Sequence, residues 1–171
     1  MKNNDFTLHS ADISELSECV SVLSQGRAYQ QSQGFIQWPD GYPSPEDVAQ
    51  DIAAGCAYVL KNKGKICAYF YMAFTDPTYS RIQGAWRADS DYMVMHRVAI
   101  ADGYRGTGLS SVLFGAFEDI ARKNSIVNLR IDTHPENIPM QRVLGKNGYT
   151  YCGTVMQNNG LRLAFDKLLG E

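Results

Sequence analysis

The sequence predicts one α/β domain, with strands and helices distributed along the whole chain. Its 171 residues are 44% hydrophobic and 20% charged, which is typical of a folded globular protein. A chain of this length buries roughly two thirds of the surface that its unfolded form exposes, so it can form a core without disulfides or metal. We therefore expect a single domain over residues 1–171.

Two helices follow a short strand in the first third of the chain. Residues 6–9 form the strand, and Ser10 is placed to cap a helix whose apolar residues recur at spacings of three and four. Ser44-Pro45-Glu46-Asp47 is a capping signature for a second helix, which ends at Gly55. Residues 33–45 are dense in glycine, proline and aromatic residues and predict an ordered loop.

The rest of the chain completes the predicted order β, α, α, β, β, β, α, β, α, β, β. Runs rich in β-branched and aromatic residues predict the strands, and apolar residues three and four apart predict the helices. The segments are a hairpin over 56–61 and 66–75 that turns at Asn62-Lys63-Gly64, a central strand over 92–101, an amphipathic helix of about three turns from Leu109, a strand over 128–133, a helix over 135–146 and a last hairpin that turns at Asn158-Asn159-Gly160.

The composition does not indicate nucleic acid or a membrane as a partner. The 16 Lys and Arg residues are outnumbered by 18 Asp and Glu residues, so the net charge of −2 gives no positive field for a phosphate backbone. Residues 1–5 lack the apolar core of a signal peptide, and the longest apolar run, 66–74, is shorter than the ~20 residues that span a bilayer. We expect a cytoplasmic protein, whose cysteines are reduced because they form no Cys-x-x-Cys pair.

A glycine-rich turn before the helix at Leu109 is the most informative segment. The first amide N–H groups of a helix have no intrahelical acceptor and, with the helix dipole, bind anions. Glycines at 106 and 108 remove side chains that would block close approach, and Arg105 adds a positive charge. This pattern predicts a pyrophosphate site; a turn that uses glycine for its geometry alone is the alternative.

Two other phosphate-binding loops do not match this segment. A Walker A loop needs Gly-Lys-Ser/Thr, which occurs nowhere in the chain. A dinucleotide-binding loop needs Gly-x-Gly-x-x-Gly, but the sixth residue counted from Gly106 is Ser111. The pyrophosphate would therefore have to be recognised by a different kind of loop.

Two segments of the sequence resemble the Gcn5-related N-acetyltransferase (GNAT) family. The central motif of that family, Gln/Arg-x-x-Gly-x-Gly/Ala, stands here as Arg105-Gly106-Thr107-Gly108-Leu109-Ser110, with serine in the last position. The second segment, Asp132-Thr133-His134-Pro135-Glu136-Asn137 followed by Gly148-Tyr149, is similar to the family's asparagine that opens a helix ending in Gly-Phe or Gly-Tyr. In element order, the resemblance covers nearly the whole chain.

The resemblance implies a fold and a cosubstrate. The fold is a mixed, mostly antiparallel sheet with a splayed central pair of parallel strands, flanked by helices. Acetyl-coenzyme A (acetyl-CoA) would bind between the splayed strands, which contain Val98 and Ile131. Carried over residue by residue, its arm would run along Val98, Ala99 and Ile100 and contact Asn137, and its pyrophosphate would lie on Arg105, Gly106, Thr107, Gly108, Leu109, Ser110 and Ser111. For Asn137 alone, a helix cap is the alternative.

The resemblance also implies acetyl transfer to an amine by direct attack in a ternary complex, without a metal or a covalent acyl-enzyme. A backbone N–H near Val98 would polarise the thioester carbonyl. His96, two residues earlier, is the candidate general base, because imidazole is mostly neutral at pH 7; a hydrogen-bonded core histidine is the alternative. The tyrosine that many members use as general acid is replaced by Leu144, so no dedicated acid is expected.

The acceptor is the part of the prediction with the fewest sequence signals. Trp38 and Tyr42 offer aromatic faces for a cationic amine, and Asp132 and His134 are expected to line the other wall. Each of these residues has a structural alternative, as a loop anchor or a solvated side chain. We expect a small-molecule amine acceptor; the alternatives are a protein or peptide amine and a non-catalytic acyl-CoA sensor. The family also suggests a homodimer.

Overall fold

The structure is a computed structural model that describes residues 6–158 and 160–170. Residues 1–5 and Asn159 of the last predicted turn lie outside these residues. Within them, no helix combines the length and the apolar character needed to cross a membrane. The strands and main helices are β1 (Phe6–Ser10), α1 (Leu16–Ser32), α2 (Pro45–Ala53), β2 (Ala57–Asn62), β3 (Lys65–Ala73), β4 (Gln83–Gly84), β5 (Tyr92–Ile100), α3 (Leu109–Lys123), β6 (Asn128–Thr133), α4 (Ile138–Lys146), β7 (Thr150–Gln157) and β8 (Gly160–Leu168).

The chain divides into two compact units, each built from two stretches of sequence. The first unit comprises residues 1–72 and 97–113, and the second comprises residues 73–96 and 114–171. The strand β5 contributes to both, because the division falls between His96 and Arg97. A single domain over the whole chain stays a prediction.

In the first unit, β1, β2 and β3 form an antiparallel sheet, and the end of β5 lies next to β3. The β2–β3 hairpin turns at Lys63 and Gly64, whose φ angles of 49° and 81° suit a two-residue hairpin turn, as the sequence predicts. Both helices of this unit pack on the sheet through a shared apolar core. That core includes Val22 of α1, Val48 of α2 and Tyr69 of β3.

The start of α1 differs from the prediction. Ser10 is not its cap, because Ser10 pairs with Tyr58 as the last residue of β1. Asp12 takes this role: its carboxylate accepts the Ser14 N–H at 2.9 Å, and the Glu15 carboxylate accepts the Asp12 N–H at 3.1 Å. This reciprocal pair, a capping box, starts a short 3₁₀ turn that leads into α1.

The helices α2 and α4 begin at capping residues. Ser44 and Asp47 form the predicted capping box of α2, in which the Asp47 N–H donates to Ser44 Oγ at 3.1 Å. The helix predicted from residue 135 begins only at Ile138, because the Asn137 side chain accepts the Met140 N–H at 3.1 Å and caps α4 there. α3 has 15 residues and is longer than the three turns predicted.

In the second unit, the strands lie in the order β5, β6, β8, β7 and β4. β5 and β6 are parallel, and the other pairs are antiparallel. The parallel pairing ends at Met95 and Ile131, although β5 continues to Ile100 and β6 to Thr133. Two strands that splay apart must stop pairing before they end, as these two do. The strand directions confirm the predicted mixed, mostly antiparallel sheet. The sequence did not predict the two-residue strand β4.

Two glycines bring the backbones of β4 and β7 together in the second unit. Gly84 and Gly153 are register partners with φ angles of 138° and 142°. A Cβ on Gly153 would lie 2.3 Å from the Gln83 carbonyl oxygen, and one on Gly84 would lie 2.2 Å from the Cys152 carbonyl oxygen. The backbones themselves fill the space of a side chain, so both positions require glycine.

Gly153→Ala should lower the free energy of unfolding by about 2 kcal/mol or more, because the added methyl collides with backbone that no side-chain rotation can move away. The midpoint of urea unfolding measures the loss. Gly115→Ala in α3 is the matched control, since its Cβ would meet no described atom within 4 Å and alanine favours a helix. Native stability of the Gly153→Ala variant would contradict this account of the β4–β7 contact.

Candidate functional site

The glycine turn before α3, in the first unit, presents open backbone. Gly106 and Gly108 have φ angles of 75° and 87°, a region that favours glycine. A Cβ at either position would meet no described atom within 4 Å, so the outer side of the turn has room for a ligand. Leu109, which is 1% exposed, fixes the start of the helix in the core.

The backbone N–H groups of this turn are not all equally available. The Thr107 N–H donates to the Tyr104 carbonyl at 3.4 Å, and the Ser111 N–H donates to the Gly108 carbonyl at 3.0 Å. α3 starts at Leu109, and the N–H groups of a helix's first residues lack intrahelical acceptors. With the dipole of a 15-residue helix behind them, they have the character that an anion site needs. Because of the two internal bonds, fewer N–H groups are available than the sequence predicts, and the pyrophosphate site stays a prediction.

Arg105 is held against the same turn by three neighbours. Its guanidinium lies over the Tyr29 ring, 4.5 Å from the ring centroid, and donates to the Gln25 carbonyl at 2.9 Å. It also forms an ion pair with Asp102. The charge is therefore fixed in place but shared with a carboxylate, and its contact with the cosubstrate stays a prediction.

The end of β5 alternates between core and partly exposed side chains. Ala99 is 4% exposed, and a Cβ on Gly26 would lie 3.0 Å from the Ala99 Cβ, so Ala99 packs closely against α1. Val98 and Ile100 are half-buried. Successive side chains of a strand point to opposite faces, so Val98 and Ile100 lie on the other face from Ala99.

Arg97 interrupts β5 with a φ angle of 49°, which is rare for a residue with a side chain. Its guanidinium lies 3.3 Å from Asp51 Oδ1 and faces the rings of Tyr42 and Tyr71, 5.6 Å and 4.9 Å from their centroids. Burial alone would lower the pKa of Arg97, but the Tyr42 hydroxyl and the Asp51 carboxylate raise it, so the group is charged. The Tyr42 ring, a predicted acceptor contact, therefore already faces a cation of the protein.

Trp38 is a core residue of the first unit. It is 4% exposed and belongs to the apolar cluster under the sheet, and its backbone N–H donates to Gln30 Oε1 at 3.1 Å. Its ring is not an exposed platform for a cationic amine. The structure thus favours the loop-anchor alternative over the predicted acceptor contact.

His96, in the second unit, lies between two carboxylates. Its Nε2 is 2.8 Å from Asp76 Oδ2, and its Nδ1 is 3.6 Å from Asp132 Oδ2. The Tyr79 ring and the imidazole form a T-shaped pair, with ring centroids 6.0 Å apart. The His96 side chain keeps 22% of its surface exposed, so it is reachable from solvent and is not a buried core histidine.

Asp76 is hydrogen-bonded through both of its carboxylate oxygens. One of its oxygens, Oδ1, accepts the Thr78 N–H at 2.8 Å and the Thr78 hydroxyl at 2.6 Å. The other, Oδ2, faces His96 Nε2 and accepts from Gln157 Nε2 at 3.1 Å. Burial opposes ionisation, but the hydrogen bonds from His96 and Thr78 outweigh it and hold the pKa of Asp76 well below its ordinary value. Asp76 is therefore a carboxylate at neutral pH.

Asp132, a predicted wall of the acceptor site, is brought together with His96. It is 9% exposed, and its Oδ2 accepts the Tyr79 hydroxyl at 2.8 Å and Gln157 Nε2 at 3.2 Å. Arg162 Nε lies 4.0 Å from Oδ1. Burial first, and then the Asp132 charge, raise the pKa of Tyr79 well above its ordinary value, so Tyr79 keeps its proton and acts as a donor here.

The other two predicted residues of the second segment have local partners. His134 Nδ1 accepts the Glu136 N–H at 3.2 Å, and burial together with the Arg162 charge lowers the pKa of His134. Asn137 is 8% exposed and caps α4 as described above, which is the alternative given for it. The roles of His134 in acceptor binding and of Asn137 in cosubstrate binding stay predictions.

Neither Leu144, at the position of the usual general acid, nor the nearby Tyr149 can act as a general acid. Leu144 is fully buried, and Tyr149 is 6% exposed with its ring against Phe114, at a centroid distance of 5.4 Å. Burial raises the pKa of the Tyr149 hydroxyl well above its ordinary value. The cysteines are free thiols, and burial raises the pKa of Cys19 to about 12, so it is no nucleophile near neutral pH.

Sequence reasoning missed Asp76, Thr78, Tyr79 and Gln157. Asp76-Pro77-Thr78 has the form of a local turn signal, but its link to His96 depends on how the chain folds back. The donor atoms of Asp76, His96 and Asp132 lie within 4.8 Å of one another, a spacing that could hold a metal ion. However, the amide of Gln157 donates to both carboxylates, so a hydrogen-bond donor already lies between them.

Comparisons with known proteins give a consistent family. The family model described as acetyltransferase (GNAT) family matches residues 25–149. A GNAT family acetyltransferase from Streptococcus agalactiae has 31% sequence identity and a TM-score of 0.88, over 97% of this chain and 96% of that one. Comparison with curated proteins gave no match.

More distant solved structures share the fold. AAC(6')-Ib in complex with ribostamycin and coenzyme A has 18% identity and a TM-score of 0.70, over 96% of this chain and 93% of that one. The ribosomal-protein-S18-alanine N-acetyltransferase from Escherichia coli has 13% identity and a TM-score of 0.68, over 97% and 95%. The family model spans more than half of the chain and agrees with the streptococcal relative, so this protein belongs to the GNAT family of acetyltransferases.

Proposed function

We propose that this protein is an N-acetyltransferase that transfers the acetyl group of acetyl-CoA to the amine of a small molecule. Acetyl transfer is inferred from membership of the GNAT family. The observation that carries the proposal is the course of β5, whose residue His96 is held by two carboxylates and whose far end leads into the anion-binding turn before α3. The strand β5 thus carries the proposed proton acceptor, and the chain that follows it forms the proposed phosphate site.

The proposed donor site uses backbone more than side chains. The N–H groups from Gly108 to Ser110 hold the pyrophosphate, and the open outer side of the turn fits such a group. The main chain of Val98, Ala99 and Ile100 pairs with the pantetheine arm, and a backbone N–H near Val98 donates to the thioester oxygen as negative charge develops there. Arg105 and Asn137 complete the proposed set.

The proposed reaction is a direct acyl transfer. The lone pair of the neutral amine attacks the thioester carbon, so that a C–N bond forms, and the C–S bond breaks with its electron pair left on sulfur. His96 takes the proton that the amine loses. Leu144 and Tyr149 offer no proton, so the thiolate of coenzyme A is protonated by water. No metal and no acyl-enzyme take part.

The acceptor class is the finer part of the proposal. AAC(6')-Ib, solved with ribostamycin, supports a small molecule, whereas the E. coli relative is named for a protein substrate. Tyr42, Asp132 and His134 are the proposed acceptor contacts. Release of free thiol from acetyl-CoA, measured against panels of small amines and of peptides, decides between the two. No release with any amine would favour an acyl-CoA sensor. A cytoplasmic homodimer stays an expectation.

Gly108→Glu should weaken acetyl-CoA binding at least tenfold, about 1.4 kcal/mol, because it places bulk and negative charge where the pyrophosphate would lie. Isothermal titration calorimetry measures the affinity. Gly64→Glu is the matched control: Gly64 has a similar φ angle of 81° and a Cβ there would also meet no described atom within 4 Å. Unchanged affinity in a folded Gly108→Glu variant would exclude the proposed pyrophosphate site.

His96→Ala should lower kcat at least 100-fold, the lower end of the ~10²–10⁴ range for general base catalysis, and leave acetyl-CoA binding nearly intact. The acid limb of the kcat/KM profile should also move. His9→Ala, at an exposed histidine of β1, is the control. A variant that loses stability but retains kcat and its pH profile would assign His96 a structural role, and His134 would be tested next.

A further inference from the structure

We infer that Asp76 is a positioning residue that fixes the proton of neutral His96 on Nε2, so that Nδ1 accepts the amine proton on the side facing Asp132. The inference rests on the proposed role of His96 as the base. It adds a residue that the sequence did not indicate and assigns each ring nitrogen a different task.

The hydrogen bonds around Asp76 determine which ring nitrogen carries the proton. Thr78 donates twice to Oδ1, and Oδ2 faces His96 Nε2 and Gln157 Nε2. An ionised carboxylate only accepts hydrogen bonds. Nε2 of His96, 2.8 Å away, must therefore be the donor. The lowered pKa of Asp76 agrees with this ionised state.

The orientation of Gln157 supports the same assignment. One end of its amide lies 3.1 Å from Asp76 Oδ2, 3.1 Å from Thr78 Oγ1 and 3.2 Å from Asp132 Oδ2. Two carboxylate oxygens around one amide atom require the NH₂ end there, because an oxygen would repel both. Gln157 thus donates to both carboxylates and holds them on either side of His96.

On the Nδ1 side of the imidazole, a carboxylate is placed where it stabilises the imidazolium. Nδ1 lies 3.6 Å from Asp132 Oδ2, a carboxylate that Tyr79, Gln157 and Arg162 also contact. When the amine gives up a proton, the N–H electron pair stays on the amine nitrogen and a new Nδ1–H bond forms. The imidazolium then donates from Nε2 to Asp76 and has the Asp132 carboxylate 3.6 Å from Nδ1, and both negative charges stabilise it while the acetyl group is transferred.

The groups that face His96 come from two parts of the chain, the turn after β3 and the strand β6. Asp76 caps the turn after β3, Tyr79 of that turn forms a T-shaped pair with the imidazole, and Asp132 lies on β6. Arg162 of β8 contacts Asp132 from behind. Removal of the Asp76 charge therefore leaves the Asp132 carboxylate near the ring and takes away the carboxylate that accepts the Nε2 proton.

Nitrogen-15 NMR of the native protein tests the tautomer directly. Neutral imidazole gives different nitrogen shifts for its protonated and unprotonated nitrogens, and we expect His96 to show the Nε2–H form at a pH where it is neutral. Resonances are assigned by comparison with His96→Ala. An Nδ1–H form in the native protein would overturn the inference, whatever the behaviour of any variant.

Asp76→Asn should reverse the tautomer. The two Thr78 donors hold the amide oxygen at the Oδ1 position, so the NH₂ group faces His96 Nε2 and makes it an acceptor, which moves the ring proton to Nδ1. We expect kcat to fall at least 100-fold, with little change in the affinity for acetyl-CoA. Asp119→Asn, at an exposed carboxylate of α3, is the matched control.

The double variant separates this inference from the proposed function. In a His96→Ala background, Asp76→Asn should change kcat by less than about threefold, because a positioning residue acts only through the residue it positions. If His96→Ala itself leaves kcat unchanged, the proposed base is wrong. If His96→Ala lowers kcat but Asp76→Asn changes neither the tautomer nor kcat, only the role of Asp76 is wrong.

Discussion

The end of the parallel pairing between β5 and β6 is the constraint on which the candidate site depends. Hydrogen bonding between these strands stops at Met95 and Ile131, and the next residue of β5 is His96. Arg97 then adopts a positive φ, which costs roughly 1–2 kcal/mol for a residue with a side chain. Its ion pair with Asp51 and its contacts with two tyrosine rings offset that cost. Beyond this point β5 is no longer paired with β6, and this is the part of β5 that we propose pairs with the pantetheine arm.

Three arginines of the structure each lie close to one aspartate. Arg97 is paired with Asp51, Arg105 with Asp102, and Arg87 with the fully buried Asp166. The His96 cluster differs, because two carboxylates there share one imidazole and one amide, with Arg162 at 4.0 Å. The cluster therefore has a negative field, which attracts a cationic group. Such a field suits the amine acceptor that we propose.

Local signals in the sequence were sufficient for most elements, and the unpredicted features depend on contacts between distant segments. The capping box of α2 and the β2–β3 turn each lie within a few residues, so their chemistry is readable directly. His96 and Asp76 are 20 residues apart, and Gln157 is 81 residues from Asp76, so no spacing could indicate their contact. Trp38 looked like a binding residue because its aromatic ring suits a cation, and burial cannot be read from residue type.

The glycine pair of β4 and β7 has a consequence for how the sequence can vary. The space at Gly84 and Gly153 is occupied by main-chain atoms, and these are the same for every amino acid. A larger residue at one position cannot be compensated by a smaller one at the other, since glycine is already the smallest. We therefore expect the two positions to be fixed independently and without covariation, unlike a pair of core side chains whose volumes can be exchanged.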